Sequence, residues 1–211
     1  MLLFQTSNHF PKKSVPQKVE FSRFEIIAYF LICLVRTSSY LYYIDNFKYL
    51  ALNFISNDKT ISLVYGVMSL PDMLMKILSG YIFTYLNLKK STILNFSMII
   101  FYEILLYNFV RGTETVFFAV FMWIRFSVAF TQFLNFLTPY SLWGTIGAIE
   151  KVGTFENYYW LSVLLYCVLN YFLFEDGNLY PIIWFFLSCE VSLFFVLLFF
   201  IKDRVLPNKK K

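Results

Sequence analysis

The chain has 211 residues, of which 59% are hydrophobic, 22% aromatic and only 15% charged, with a formal net charge of +5. A soluble globular domain carries about 45–50% apolar and about 25% charged residues, so this chain lacks the polar side chains to cover a water-exposed surface. Its mean hydropathy of +0.62 and its long apolar stretches predict a polytopic helical membrane protein, and no basic, aromatic-interleaved soluble surface is present to bind nucleic acid.

Residues 1–23 are polar, basic and proline-bearing, with no apolar run before Phe24; they read as an inner-side tail and not as a signal peptide. A six-transmembrane-helix bundle is predicted over residues 24–201, with spans at 24–43, 61–85, 92–110, 115–137, 158–174 and 180–201. Each approaches the roughly 20 residues that cross a hydrocarbon core of about 30 Å. The runs are continuously apolar rather than alternating, which selects an all-α bundle over a barrel. Residues 202–211 form a second basic tail.

Lysine and arginine orient the bundle. With the N-terminus inside, the inner segments hold twelve (Lys12, Lys13, Lys18, Arg23, Lys89, Lys90, Lys151, Lys202, Arg204 and Lys209 to Lys211), and the outer loops three (Lys48, Lys59 and Arg111). This positive-inside bias predicts both termini on the cytosolic or matrix side, in a plasma or organelle membrane. It also accounts for the net charge.

The three cysteines, Cys33, Cys167 and Cys189, fall inside spans without metal-ligand spacing, and the one histidine, His9, lies in the tail. No metal, cofactor or enzymatic constellation is therefore expected: a serine or cysteine without a histidine has no base. The glycosylation sequon at Asn95 sits within the third span and is inaccessible. The aromatic clusters Tyr40 to Tyr43 and Asn157 to Trp160 read as interfacial belts, or as stacking surfaces for a solute.

The informative residues are the ionisable ones inside the spans: Arg36, Asp72, Lys76, Glu103, Arg125 and Glu190. An intramembrane charge costs about 2.5–3.5 kcal/mol on insertion scales and normally faces a partner or a wet cavity. Asp72 and Lys76, four residues apart, share a helical face and can pair. Glu103 and Arg125 lie on consecutive antiparallel helices and are expected to pair across them. Arg36 and Glu190 have no assignable partner. Three readings stand for the set: structural ion pairs holding the bundle together, the lining of a solute pathway, or contacts with other subunits.

The stretch "GYIFTYLNLKK", Gly80 to Lys90, resembles the major facilitator signature G-x3-D-[RK]-x-G-x-[RK]-[RK], found between paired helices at the cytosolic face. Gly80, Lys89 and Lys90 match it, whereas Thr84, Tyr85 and Asn87 replace the acid, the base and the second glycine. In the family this loop latches neighbouring helices by charge pairing with their cytosolic ends; without the acid, a weak latch is expected. In order and spacing, residues 24–207 resemble the C-terminal six-helix half of organic cation/anion transporters, with "FFIKDRVLP" similar to the charged exit after the last helix. "FTQFLNFLTP" (130–139) keeps Thr131 but departs from the family's gating signature at Gln132, Asn135 and Pro139. "EKVG" (150–153) is similar to a cavity site that is acidic in cation carriers and arginine in anion carriers. Lys151 falls there, while hydropathy alone places it in an inner loop.

The resemblance implies a half facilitator, lacking the opposite cavity wall. It would move a small organic ion by alternating access, against a second six-helix half or through self-association. The alternatives are a non-transporting subunit of a larger membrane complex, such as a mitochondrial respiratory complex, and an inactive truncated copy of a carrier. On the carrier reading the pathway residues are Arg36, Asp72, Lys76, Glu103, Arg125, Lys151 and Glu190.

Overall fold

The computed structural model describes residues 21–52, 58–108, 114–173 and 180–203. The two basic tails beyond these limits, with His9, Lys12, Lys13, Lys18, Arg204 and Lys209 to Lys211, lie outside the described residues, as does Arg111.

Helix α1 (Arg23–Asp45) starts on a reciprocal cap. Ser22 Oγ accepts the Glu25 N–H at 3.2 Å, and the Ser22 N–H donates to Glu25 Oε2 at 2.8 Å, so two otherwise unpaired amides are satisfied at the membrane edge. A short α2 (Phe47–Leu52) follows. The predicted second span is two helices, α3 (Asp58–Val67) and α4 (Ser69–Tyr85), which part at Met68. Pro71 explains the break: it has no N–H to return to the carbonyl four residues earlier, so it is accommodated in the first turn of a new helix.

Helix α5 (Leu88–Asn108) is capped by Asn87, whose Oδ1 accepts the Lys90 N–H at 2.9 Å. Helix α6 (Glu114–Phe155) runs 42 residues, well past the predicted end at 137, and bends at Gly144. Helices α7 (Asn157–Leu173) and α8 (Tyr180–Phe199) complete the chain.

Among the described residues the protein is all-helical. Four stretches are long and apolar enough to cross a membrane: Arg23–Asp45, Lys59–Tyr85, Thr115–Gly144 and Tyr180–Phe199. Helix α7 has 17 residues, and α5 carries Asn95 and Glu103 among its apolar side chains.

Helix α1 packs on α6, α7 and α8, and α5 lies between α6 and α8. The cycle α1–α6–α5–α8 therefore closes on itself, with α7 added against α1 and α4 against α6. Two apolar layers fill it. One contains Tyr29, Ile32, Phe96, Leu142, Phe155 and Leu197; the other contains Tyr42, Phe47, Tyr102, Phe121, Ile183 and Phe186. Along α1, α6 and α8 the buried residues between these layers include the polar Arg36, Thr37, Ser39, Thr131, Asn135 and Glu190, beside a smaller apolar cluster of Met75, Phe130 and Leu134, and they form a belt across the middle of the bundle. The start of α1 and the end of α8 share one end, where the rings of Phe24 and Phe200 lie 6.4 Å apart. The α4–α5 turn joins them there through an ion pair of Lys90 with Asp203 at 3.5 Å.

At Gly144, φ is 70° and ψ is 177°, a conformation that side-chain-bearing residues reach only at a cost of about 1–3 kcal/mol. Gly144→Ala should lower stability by that amount in detergent thermal unfolding. Gly80→Ala should instead be neutral or gain about 0.5–1 kcal/mol, because its Cβ would meet nothing within 4 Å.

Candidate functional site in the polar belt

Arg36 is the centre of the belt. The third and fourth turns of α1 point it inward, and with 1% of its surface exposed it is the largest fully buried side chain described. Among the described residues no carboxylate forms an ion pair with it. Its Nη1 donates to Asn95 Oδ1 of α5 at 2.7 Å and its Nη2 to Asn135 Oδ1 of α6 at 2.9 Å. The guanidinium lies over the ring of Phe96, 5.4 Å from its centroid.

Both asparagines are themselves held. Asn95 Oδ1 also accepts from the Thr131 hydroxyl at 3.0 Å, and its Nδ2 donates to the Ser127 carbonyl at 3.2 Å. Asn135 Nδ2 donates to Thr37 Oγ1 at 2.9 Å. The amide orientations are thus fixed so that two carbonyl oxygens face the cation. Hydrogen bonds to a charged group contribute about 1.5–3 kcal/mol each, but these ligands are neutral and leave the positive charge uncompensated by contact.

The opposing charge is one step along the belt. Glu103 of α5 and Glu190 of α8 are both fully buried. Glu103 Oε1 accepts from Tyr43 at 2.9 Å and from Ser39 at 3.3 Å, both on α1. Glu103 Oε2, both Glu190 oxygens and Arg36 Nε have no hydrogen-bond partner.

A cleft of about 330 Å³ lies beside this belt, lined by Tyr40, Gln132, Asn135, Pro139, Glu156 and Tyr158, among others. Asn135 therefore both lines the cleft and carries Arg36. Gln132, Asn135 and Pro139 are also the positions at which the 130–139 stretch departs from the gating signature it resembles.

The structure divides the residues singled out from sequence. Arg36, Glu103 and Glu190 converge inside the belt. Glu103 does not pair with Arg125: it turns toward α1 and α8, while Arg125, half-buried, lies 5.7 Å over the Tyr65 ring of α3. Adjacent helices placed the two residues near each other, but their rotations point them apart. Asp72 and Lys76 do pair, at 2.6 Å, yet on the outer side of α4, with the Lys76 side chain 53% exposed. The buried face of α4 is instead Pro71, Met75 and Ser79, a stripe at four-residue spacing. Lys151 lies on α6 beyond the bend, exposed and 5.5 Å over the Trp143 ring, in a helix rather than a loop and apart from the cleft lining.

Gly80, Lys89 and Lys90 sit at the end of the bundle. Lys89 Nζ donates to the carbonyls of Leu198 (3.1 Å) and Ile201 (2.5 Å), neutralising the C-terminal end of α8. Lys90 pairs with Asp203, which also accepts from Asn87.

Sequence reasoning missed Asn95, Asn135, Thr131, Ser39 and Tyr43 as site residues because they are neutral. A signal was present. Ser127, Thr131 and Asn135 recur every four residues in an otherwise apolar helix, which draws one inward polar stripe.

No family model, curated protein or solved structure matches the chain. Fold and site together define an all-helical, multi-pass membrane protein with an ionisable belt at mid-bundle.

Asn135→Leu strands Arg36 Nη2 and the Thr37 hydroxyl, and should cost about 1.5–3 kcal/mol in detergent thermal unfolding. Replacing Asp72 and Lys76 together by Ala removes an exposed pair and should shift stability by no more than about 1 kcal/mol.

Proposed function

We propose that this chain is a six-helix wall of a facilitator-type carrier, moving a small organic ion by alternating access against a partner half or a second copy. The observation that carries this reading is the pattern of helix packing around the polar belt. Exchanging α1 with α6, α4 with α7, and α5 with α8 converts α1 on α7 into α6 on α4, and α1 on α8 into α6 on α5; α5 on α8 and α1 on α6 map onto themselves. Taking α3 and α4 as one crossing, and α5 and α7 as crossings too, each set would span the membrane three times. Three is odd, so the second set enters from the opposite face. On this reading the pattern is that of an inverted repeat about an axis in the membrane plane, an architecture built around midplane solute sites.

Charge distribution supports the same orientation. Lys89, Lys90, Lys202 and Arg23 gather at the end that holds the start of α1 and the end of α8, which suits an inner side. The outer faces of α4 and α7 expose Met73, Ile77 and Tyr81, and Trp160, Leu164 and Tyr171, a surface that a second half would cover. A non-transporting subunit is the second reading. It is favoured by the Asp72–Lys76 pair on the outward face of α4, which a neighbouring protein would shield from lipid.

Solute uptake into liposomes containing the full chain, alone and with a candidate partner half, tests the proposal. Uptake that falls by about tenfold or more, equivalent to about 1.4 kcal/mol, in Gln132→Ala and Asn135→Leu is the expected result. Failure to move any organic anion or cation, together with stoichiometric purification in a larger complex, would establish the subunit reading.

A further inference from the structure

We propose that Glu103 and Glu190 form a proton-binding site, one proton shared between two buried carboxyls, and that its loading is linked to occupancy of the cleft through Arg36; the linkage rests on the carrier reading, whereas the site itself does not.

The pair forms where α5 packs on α8. Both side chains have no exposed surface, and each carboxyl acts on the other across that contact. Tyr43 and Ser39 satisfy only Oε1 of Glu103. Three of the four carboxyl oxygens have no donor. Glu190 is the decisive member, because it is fully buried and neither of its oxygens receives a geometrically formed hydrogen bond.

The surrounding groups determine what the pair can hold. From α1 it faces Arg36, Ser39 and Tyr43; from α5, Tyr102; from α8, Cys189. Helices α6 and α7 present no charged group to it among the described residues. Among the described residues Arg36 is thus the cation available to the two carboxyls. If both were ionised, the interior would keep an unbalanced negative charge, and like charges in contact cannot both persist away from water. A single proton resolves both deficits. It turns one carboxyl into an O–H donor that the other accepts, and it leaves one carboxylate opposite one guanidinium.

A metal cation fits less well. The Tyr43 and Ser39 hydroxyls direct their protons at Glu103, and neither Glu103 nor Glu190 lines the cleft. A proton needs no cavity. Loading adds one proton to the pair and release returns it to water, with no electron transfer.

Arg36 supplies the linkage. It is buried in the same belt as Glu190, and its Nη2 is held by Asn135, which lines the cleft. A solute that draws on Asn135 or on the guanidinium changes how much positive charge faces the carboxyls. By reciprocity, the proton then changes solute affinity.

Infrared spectroscopy of the full chain in liposomes tests the site without any substrate. The expected result is a deuterium-sensitive C=O band of a protonated carboxyl at neutral pH, lost in both Glu103→Gln and Glu190→Gln, each of which leaves one carboxylate facing Arg36. Absence of the band in the unaltered protein overturns the proposal whatever the variants do, as does its survival in both. For the linkage, an inward proton gradient should accelerate uptake in the unaltered chain and not in Glu190→Gln. Acceleration by sodium in its place, or indifference to both gradients, overturns the linkage while leaving the carrier reading intact. A variant-sensitive band in a protein that moves no solute supports the proton site and rejects the carrier.

Discussion

A guanidinium buried at the middle of a membrane bundle and hydrogen-bonded by two asparagine amide oxygens is the constraint on which the rest of the architecture depends. Arg36 cannot stay in hydrocarbon unless something accepts its N–H groups, so α5 must present Asn95 and α6 must present Asn135 at the level α1 dictates. Lipid tails are as apolar as leucine, so burial alone hardly ranks one helix register above another; directional polar contacts do. The belt extends this control. Ser127 and Thr131 tie α6 to α5 through Asn95, and Tyr43 and Ser39 tie α1 to α5 through Glu103. The Ser38 hydroxyl reaches the Ser162 carbonyl, and the Ser162 hydroxyl the Leu34 carbonyl, which anchors α7 to α1. Helix α1 is accordingly the hub, and its polar residues are spaced to serve three neighbours at once.

What hydropathy could read was where helices lie. Span 180–201 and helix α8, or span 158–174 and helix α7, coincide to within about two residues, because a continuous apolar run has few alternatives in a bilayer. Its failures are physical too. The fourth span is predicted to end at 137, but Pro139 is absorbed in the long helix and Gly144 bends the chain without ending it. That extension is what carries Lys151 into a helix. For the site, charge was legible and rotation was not. Spacing put Asp72 and Lys76 on one face, but which face turns inward depended on the side chains opposite, and Pro71, Met75 and Ser79 took that place against α6. Glu103 and Arg125 failed as a pair for the same reason.

The turn at residues 86–90 shows how local chemistry compensates for a sequence departure. The stretch resembles a facilitator signature but has Thr84 in place of its acid. In space, an acid is nevertheless present: Asp203, beyond the end of α8, receives Lys90 and Asn87. Lys89 binds the last carbonyls of α8, where a helix end leaves acceptors unsatisfied and partially negative. Asn87, at the position of the signature's second glycine, caps α5 with its side chain. The expected weak latch is therefore a joint between the α4–α5 turn and α8, built from a different donor of negative charge.

The choice of neutral ligands for Arg36 bears on what the belt can do. A bidentate carboxylate on a buried arginine makes a tight strut, and separating such a pair costs about 3–5 kcal/mol. Amide oxygens satisfy the geometry while leaving the charge to be balanced at longer range, here by two carboxyls that share the belt with it. Charge balance and hydrogen-bond satisfaction are thereby handled by different residues. The asparagines hold position, and the glutamates set net charge. An interior arranged this way can change its charge state without breaking the contacts that fix four helices in register, a property that a purely structural ion pair would not need.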